Sequence, residues 1–209
     1  MKGLLLKDWY QTVKYCRTYL IIVLVFMALG VFSQEDLGFT VVYPFLLGGM
    51  IPVNMISYDT ASHWESMSLT LPYTRGQIVS GKYVLCLCFQ GGILVLTALT
   101  QTARMCMRGT FGLEALVLTL LPLAAMALIV PSLMLPVIYK LGVEKGRMLY
   151  LAFIGLTFAV VGITATNADA AGVGIHLPVY AGAAALGIAA ALFAVSWGLS
   201  IRFYSKREL

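Results

Sequence analysis

Charge is what this sequence has least of. Only 11% of its 209 residues are charged, 60% are hydrophobic, and the mean hydropathy is +0.90. A soluble domain carries about 25% charged residues, and a chain this apolar cannot hide its surface in one core surrounded by water. The composition excludes an ordinary soluble domain and favours a protein that uses the lipid bilayer as its solvent.

Cysteine and histidine are also scarce. None of the four cysteines forms a C-x-x-C pair, and Cys86 and Cys88 point in different directions on a predicted helix. The two histidines, His63 and His176, are predicted on opposite sides of the membrane. We therefore expect no metal site. No Ser/Pro-rich or charged linker divides the chain, so we expect a single domain over residues 1–209.

Catalytic motifs are absent, and one near-match fails. Residues 76–83, GQIVSGKY, spell seven of the eight positions of a phosphate-binding loop. The last position needs Ser or Thr to bind Mg²⁺, but here it is Tyr83, and the segment is predicted to be helical. We expect this chain to be no enzyme, with no catalytic residues and no cofactor of its own.

Long apolar runs predict six membrane spans, at residues 18–32, 37–57, 83–102, 113–139, 148–165 and 178–201. With the N-terminus inside, all 14 lysines and arginines except Arg104 and Arg108 fall in inner segments. This distribution follows the positive-inside rule and puts both termini in the cytoplasm. It also accounts for the net charge of +5, so this charge does not indicate a nucleic-acid partner.

The spans themselves hold almost no ionisable side chains. Carriers driven by protons or sodium usually keep such groups at mid-membrane. We therefore expect the energy for transport to come from outside the bundle.

Residues 1–17 predict an amphipathic helix that lies in the inner membrane interface. Its apolar side carries Leu5, Leu6, Trp9, Val13 and Cys16, and Lys7, Gln11 and Lys14 lie opposite. The residues expected to hold it at the interface are Trp9, Lys7, Lys14 and Arg17.

The inner segment 58–82 between spans two and three is the longest polar stretch. Asp59 or Thr60 is expected to cap a short helix with an apolar stripe of Trp64, Met67 and Leu71, which ends at Pro72. A capping box of Thr74 and Gln77 then begins a helix that continues from Arg75 into the third span. An apolar stripe on the cytoplasmic side predicts a docking surface for a partner.

Glycines and prolines interrupt two spans. Gly91 and Gly92 in the third span, and Pro122, Pro131 and Pro136 in the fourth, are candidate hinges for a conformational cycle. Ordinary packing of membrane helices is the alternative, since both residue types are common there.

Three stretches resemble a known family: MKGLLLKDWYQTVKY at the start, YDTASHWESMSLTLPYTRGQIVSGKY in the inner segment, and SIRFYSKREL at the end. They are similar to the small permease subunits of type-two ABC exporters. The positions that match the inner pattern are Asp59, Trp64, Leu71, Pro72, Thr74, Arg75, Ile78, Val79 and Lys82.

This resemblance implies a polytopic all-α permease in the plasma membrane. Two permease chains, identical or different, would pair and bind two copies of a separate ATPase subunit that holds ATP and Mg²⁺. Residues 59–71 would form a coupling helix on the ATPase, and family substrates include amphipathic or antimicrobial peptides, lipids and drugs. The residues expected to contact the ATPase are Asp59, His63, Trp64, Glu65, Met67, Leu71, Pro72 and Arg75.

Two other classes remain open. The first is a membrane-embedded, vitamin-binding subunit of an energy-coupling importer, which would dock through small residues such as those at 181–185. The second is an intramembrane enzyme or assembly factor, which the scarcity of paired polar residues in the spans disfavours.

Overall fold

The computed structural model describes most of the chain, namely residues 2–32, 38–64, 74–109, 112–171 and 179–205. All the regular structure in these ranges is α-helical. The helices are α1 (Lys2–Tyr15), α2 (Arg17–Phe32), α3 (Gly38–Ala61), α4 (Arg75–Met107), α5 (Leu113–Leu141), α6 (Val143–Ala171) and α7 (Val179–Ser205). The all-helical fold class is confirmed for the described residues.

Four helices are long and apolar enough to cross a bilayer: α3, α4, α5 and α7. The bent pair of α1 and α2 passes the same test and would make a fifth span. Helix α6 is not among them. The described residues therefore support a polytopic membrane protein with four or five spans, fewer than the six expected from the sequence.

The chain bends sharply between α1 and α2. The two axes differ by 66°, and the break falls at Cys16, whose amide still donates to the Thr12 carbonyl at 2.7 Å. Helix α1 contacts α2, α3 and α4, so it crosses one end of the bundle. The separate N-terminal helix is thus confirmed, and its position in the membrane interface stays a prediction.

Helix α1 has a buried face that the division into apolar and charged sides overlooked. Leu4, Asp8, Thr12 and Cys16 are spaced four apart, and each is at most 4% exposed. The apolar side predicted to meet lipid is partly exposed, as Leu6 shows at 57%, although its Cys16 belongs to the buried face. A helix that crosses the end of a bundle can therefore offer one face to protein and another to the membrane.

The centre of the bundle is formed by α3, α4 and α5. Helix α7 packs along α5 and contacts α4, α6 rests on α3 and α5, and α2 rests on α3 and α4. Gly49 permits the closest approach, because a Cβ atom there would lie 2.4 Å from Val130 Cγ1. Beside it, the Tyr150 hydroxyl donates to the Leu46 carbonyl. Glycine is needed at this position for α3 to meet α5 and α6.

The outer surface of the bundle is apolar, as a lipid-facing surface should be. Val95, Leu99, Leu156 and Tyr180 are 60–77% exposed. Inside, some threonine hydroxyl groups are satisfied within their own helix, as where Thr97 donates to a carbonyl one turn back at 2.8 Å. Such bonding suits a solvent that offers no hydrogen bonds.

The end of α3 corrects one expectation. Asp59 and Thr60 do not cap a new helix, because α3 continues through them to Ala61. The Thr60 hydroxyl donates back to the Ile56 carbonyl at 3.0 Å, and the Asp59 carboxylate is bound by lysines from other helices. The helix ends at Ala61, and the left-handed φ of +52° at His63 keeps the chain from continuing it.

Candidate functional site

A buried group of charges lies where α1 crosses α3 and α4. It consists of Lys7 and Asp8 on α1, Asp59 on α3 and Lys82 on α4, and we call it the charge cluster. Lys7 Nζ is 2.5 Å from Asp59 Oδ1 and 3.1 Å from Asp8 Oδ1. Lys82 Nζ is 2.9 Å from Asp8 Oδ1 and also donates to Asp59 Oδ2. Each charge therefore has two partners of opposite sign.

Very little of the charge cluster reaches solvent. The exposed fraction of the side chain is 0% for Asp8, 5% for Asp59, 4% for Lys82 and 29% for Lys7. Burying a charge costs several kcal/mol per ion unless opposite charges compensate it. The two lysines and two aspartates balance as a unit, so the loss of any one would leave a buried net charge. Asp8 Oδ2 is also buried and has no hydrogen-bond partner within the described ranges.

The segment that resembles a phosphate-binding loop lies inside α4. This helix begins with the predicted capping box: Thr74 Oγ1 accepts from the Gln77 amide at 3.3 Å, and the Thr74 amide donates to Gln77 Oε1 at 3.2 Å. The helical structure predicted for this segment is confirmed. Lys82 within this segment is buried, and Asp8 and Asp59 compensate its charge inside the protein.

The same turns of α4 are attached to α7 by polar contacts. Tyr83 Oη lies 2.8 Å from Ser196 Oγ and 2.7 Å from Ser200 Oγ. Its ring stacks on Trp197 with the centroids 5.4 Å apart, and the Trp197 indole donates to Ser80 Oγ at 3.0 Å. These contacts join the first turns of α4 to α7.

Arg75 makes a second attachment to α7. Its guanidinium donates to the Ser205 carbonyl at 3.0 Å and to the Tyr204 carbonyl at 3.4 Å. Carbonyls in the last turn of a helix lack partners within it, and a cation there also complements the helix dipole. Arg75 was predicted to contact the ATPase. In this structure its guanidinium reaches the end of α7.

Trp64 lies beside the charge cluster. The Lys7 ammonium is 4.3 Å from the centroid of its indole, a cation–π contact, and the ring packs against the main apolar core. His63 immediately before it is exposed. Of the other residues predicted to contact the ATPase, Asp59 belongs to the charge cluster. Glu65, Met67, Leu71 and Pro72 lie outside the described residues.

The residues predicted to hold α1 in the interface are distributed around it. Trp9 stacks on Phe89 of α4 with the centroids 5.0 Å apart. Lys14 is exposed, with its ammonium 5.4 Å from the centroid of Tyr15, and Arg17 is exposed at the start of α2. Of these four residues, Trp9 therefore packs against α4, and Lys7 turns into the protein, where it joins the charge cluster.

The hinge candidates lie in unbroken helices. Gly91 and Gly92 face open space, with no atom within 4 Å of a Cβ built on either. Pro122, Pro131 and Pro136 all fall within the single helix α5. A role in bending for these residues stays a prediction.

Asp8 is the site residue that the sequence analysis missed. Its spacing could have revealed it, because it is four residues from both Leu4 and Thr12 and so shares a helical face with them. A carboxylate on that face needs a buried cation. The sequence alone does not say that Lys82, 74 residues away, supplies it.

In the described residues, the fold and these contacts define a helical membrane protein whose N-terminal helix is bound to α3 and α4 by buried ion pairs. The sequence model of the ABC-2 family transporter proteins matches residues 3–205, nearly the whole chain. The chain therefore belongs to this family, and the resemblance drawn from the sequence is confirmed.

Family membership makes the chain a membrane permease subunit of an ABC transporter. Such a subunit does not itself catalyse hydrolysis, and the family implies a separate ABC ATPase as partner. The alternative of a vitamin-binding importer subunit finds no support. No curated protein and no solved structure matches the chain.

Proposed function

We propose that this permease belongs to an ATP-driven exporter in the plasma membrane that carries an amphipathic or antimicrobial peptide, a lipid or a drug. It pairs with a second permease chain, identical or different, and binds two copies of an ATPase subunit that holds ATP and Mg²⁺. The observation that carries this proposal is the match of the family model to residues 3–205. The charge cluster supports it, because the cluster joins α1 to both ends of the inner segment expected to meet the ATPase.

We further propose six spans with both termini in the cytoplasm. The bent pair α1 and α2 supplies the first, with α1 lying in the interface, and α6 supplies the fifth. At 29 residues α6 is long enough to cross a bilayer, and it packs beside α5 and α3. The positive-inside distribution then places the charge cluster at the cytoplasmic end.

The charge cluster is the unit that transmits force in this proposal. Asp59 lies at the start of the inner segment 58–82 and Lys82 lies at its end, and the two side chains bond directly. The flanks of the segment therefore cannot separate without breaking a buried ion pair. When ATP closes the ATPase dimer and pushes the segment, the ends of α1, α3 and α4 move together.

From there the movement reaches α7 through Tyr83 and Arg75. Helix α7 packs along α5, which carries the three prolines. Directional polar contacts suit such a transmission, since an ion pair or hydrogen bond holds a defined geometry whereas apolar surfaces can slide. Opening and closing of the substrate path follows from the shift of α4 and α7 against their neighbours.

A label at the far end of α4 tests this transmission. Cys106 is exposed there, and a Cys88→Ser background leaves it as the exposed thiol among the described cysteines. A fluorophore on Cys106 should report an ATP-dependent change in the permease–ATPase complex. Lys82→Met should abolish that change while the bound ATPase still hydrolyses ATP.

Lys140→Met is the matched control, because Lys140 is an exposed lysine at the end of α5 that is outside the charge cluster. It should keep the ATP-dependent change. A full signal in Lys82→Met would contradict the proposed transmission. Failure of the wild-type permease to bind an ABC ATPase would contradict the proposal as a whole.

A second variant tests the docking surface. Trp64→Ala combined with Glu65→Ala should uncouple ATP hydrolysis from transport while leaving assembly partly intact, because the pair lies where the ATPase is expected to bind. Hydrolysis and uptake into inverted vesicles are measured in parallel. Transport at the normal rate would show that these two residues do not couple the subunits.

A further inference from the structure

An open groove separates α1 from the end of α3, on the outer side of the charge cluster. Its volume is about 450 Å³, within the usual range of roughly 300–1,000 Å³ for sites that bind small ligands. We call it the elbow groove. Its principal lining residues are Lys7, Tyr10, Gln11, Lys14, Tyr15 and Tyr58.

The charge of the elbow groove is positive. Lys14 is exposed at its rim and Lys7 is 29% exposed at its inner wall. No aspartate or glutamate is among its described lining residues. The carboxylates of the charge cluster, Asp8 and Asp59, are at most 5% exposed and already bind lysines. Among the described residues that line the groove, a ligand would therefore meet cations and no exposed anion.

Three tyrosines also line the groove. Tyr10, Tyr15 and Tyr58 are 66%, 46% and 41% exposed, and the rings of Tyr15 and Tyr58 stack with their centroids 4.4 Å apart. Each offers an apolar ring and a hydroxyl donor. Side chains of this kind concentrate at the headgroup level of membranes.

The position of the groove agrees with that level. Helix α1 lies at 66° to α2, and its outward side exposes Leu6, Trp9 and Val13 by 41–57%. If this side meets the acyl boundary, the groove next to it opens among the headgroups. Lysine and tyrosine donors then face the phosphates, and the aromatic rings face the glycerol and upper acyl chain.

We propose that the elbow groove binds the headgroup of one anionic phospholipid, with Lys14 as its main charge and the tyrosine hydroxyls as further donors. The proposal rests on the membrane placement of α1 put forward above. A free phosphate shares the same chemistry, but the aromatic wall favours a ligand that carries an apolar portion. A lipid held here would brace α1 against α3 beside the charge cluster.

The test compares lipid preference in purified full-length permease without its ATPase. The permease is placed in phosphatidylcholine nanodiscs that contain increasing fractions of phosphatidylglycerol. After mild delipidation, native mass spectrometry counts the lipid molecules that stay bound to the protein. Lys14→Gln should lower the preference for phosphatidylglycerol about fivefold. One basic residue near an anionic surface contributes about 1 kcal/mol, which corresponds to about a fivefold change in affinity. Lys14→Arg should restore it.

Lys140→Gln is the matched control. Lys140 is also exposed, and its ammonium also lies 5.4 Å from a ring centroid, that of Phe203, but it lies outside the groove. An equal loss in Lys140→Gln would mean general surface attraction and would overturn the proposal. An unchanged preference in Lys14→Gln would overturn it too.

Two further results distinguish other occupants. If millimolar inorganic phosphate displaces phosphatidylglycerol from the wild type, the groove is a free-phosphate site and the lipid proposal fails. If Lys14→Gln keeps its lipid preference but no longer retains the ATPase, the groove belongs to the protein partner. Because lipid counting needs no ATP, failure of this proposal leaves the exporter proposal untouched.

Discussion

Replacing Lys82 by methionine tests whether the charge cluster is one energetic unit. The ammonium is 4% exposed and is bound to both Asp8 and Asp59. Methionine has a similar length and keeps the apolar part of the packing. The substitution removes the positive charge of Lys82, so that Lys7 alone faces two buried carboxylates and the cluster carries a net negative charge.

The expected cost follows from that imbalance. Removing one partner of a buried ion pair typically lowers the free energy of unfolding by about 3–5 kcal/mol. Adding Asp59→Asn to Lys82→Met makes the remainder neutral again, with Lys7 beside Asp8 at 3.1 Å. The double variant should therefore be more stable than Lys82→Met alone, with a coupling energy of about 2–3 kcal/mol between the two sites.

The assay is reversible unfolding of the permease in mixed micelles of mild detergent and sodium dodecyl sulfate, followed by far-UV circular dichroism. The four proteins form a double-mutant cycle: the wild type, Lys82→Met, Asp59→Asn and the double variant. Lys140→Met, at an exposed lysine outside the cluster, should change the free energy of unfolding by less than about 0.5 kcal/mol. Additive effects of Lys82→Met and Asp59→Asn would refute the view of the cluster as one coupled unit.

Two further predictions concern packing and the contact with α7, and both are measured by the same unfolding assay. Gly49→Ala should lower the free energy of unfolding by about 1–3 kcal/mol, because the new Cβ would lie 2.4 Å from Val130. Gly91→Ala lies on the open face of α4 and should leave the free energy of unfolding unchanged or raise it by up to about 1 kcal/mol in the isolated chain. Equal effects of the two would contradict the packing described here. Tyr83→Phe should lose about 1 kcal/mol, because its hydroxyl contacts two serines of α7. No loss at all would mean that those hydrogen bonds contribute nothing net.

Local features of the fold were predictable because their causes are local. The capping box at Thr74 involves a residue three positions away, so the start of α4 at Arg75 could be predicted and is confirmed. Apolar runs likewise predicted the four helices that can cross a membrane by themselves, although they predicted six spans in all. The separate N-terminal helix followed from its amphipathic pattern.

The end of α3 shows where such reasoning fails. Aspartate favours the N-cap of a helix, so Asp59 was expected to begin one. In the structure its carboxylate binds Lys7, 52 positions away, and Lys82, 23 positions away. A long-range ion pair overrides a local preference when both groups are buried.

The composition by itself determined the solvent of this protein, since so few charges and so many apolar residues suit a bilayer and not water. The motifs at its start, inner segment and end determined its family. Only the tertiary structure decided which of its few charges are buried together. That choice depends on how α1 crosses α3 and α4, a geometry set by packing between distant segments, and the order of residues along one chain does not encode it in any local pattern.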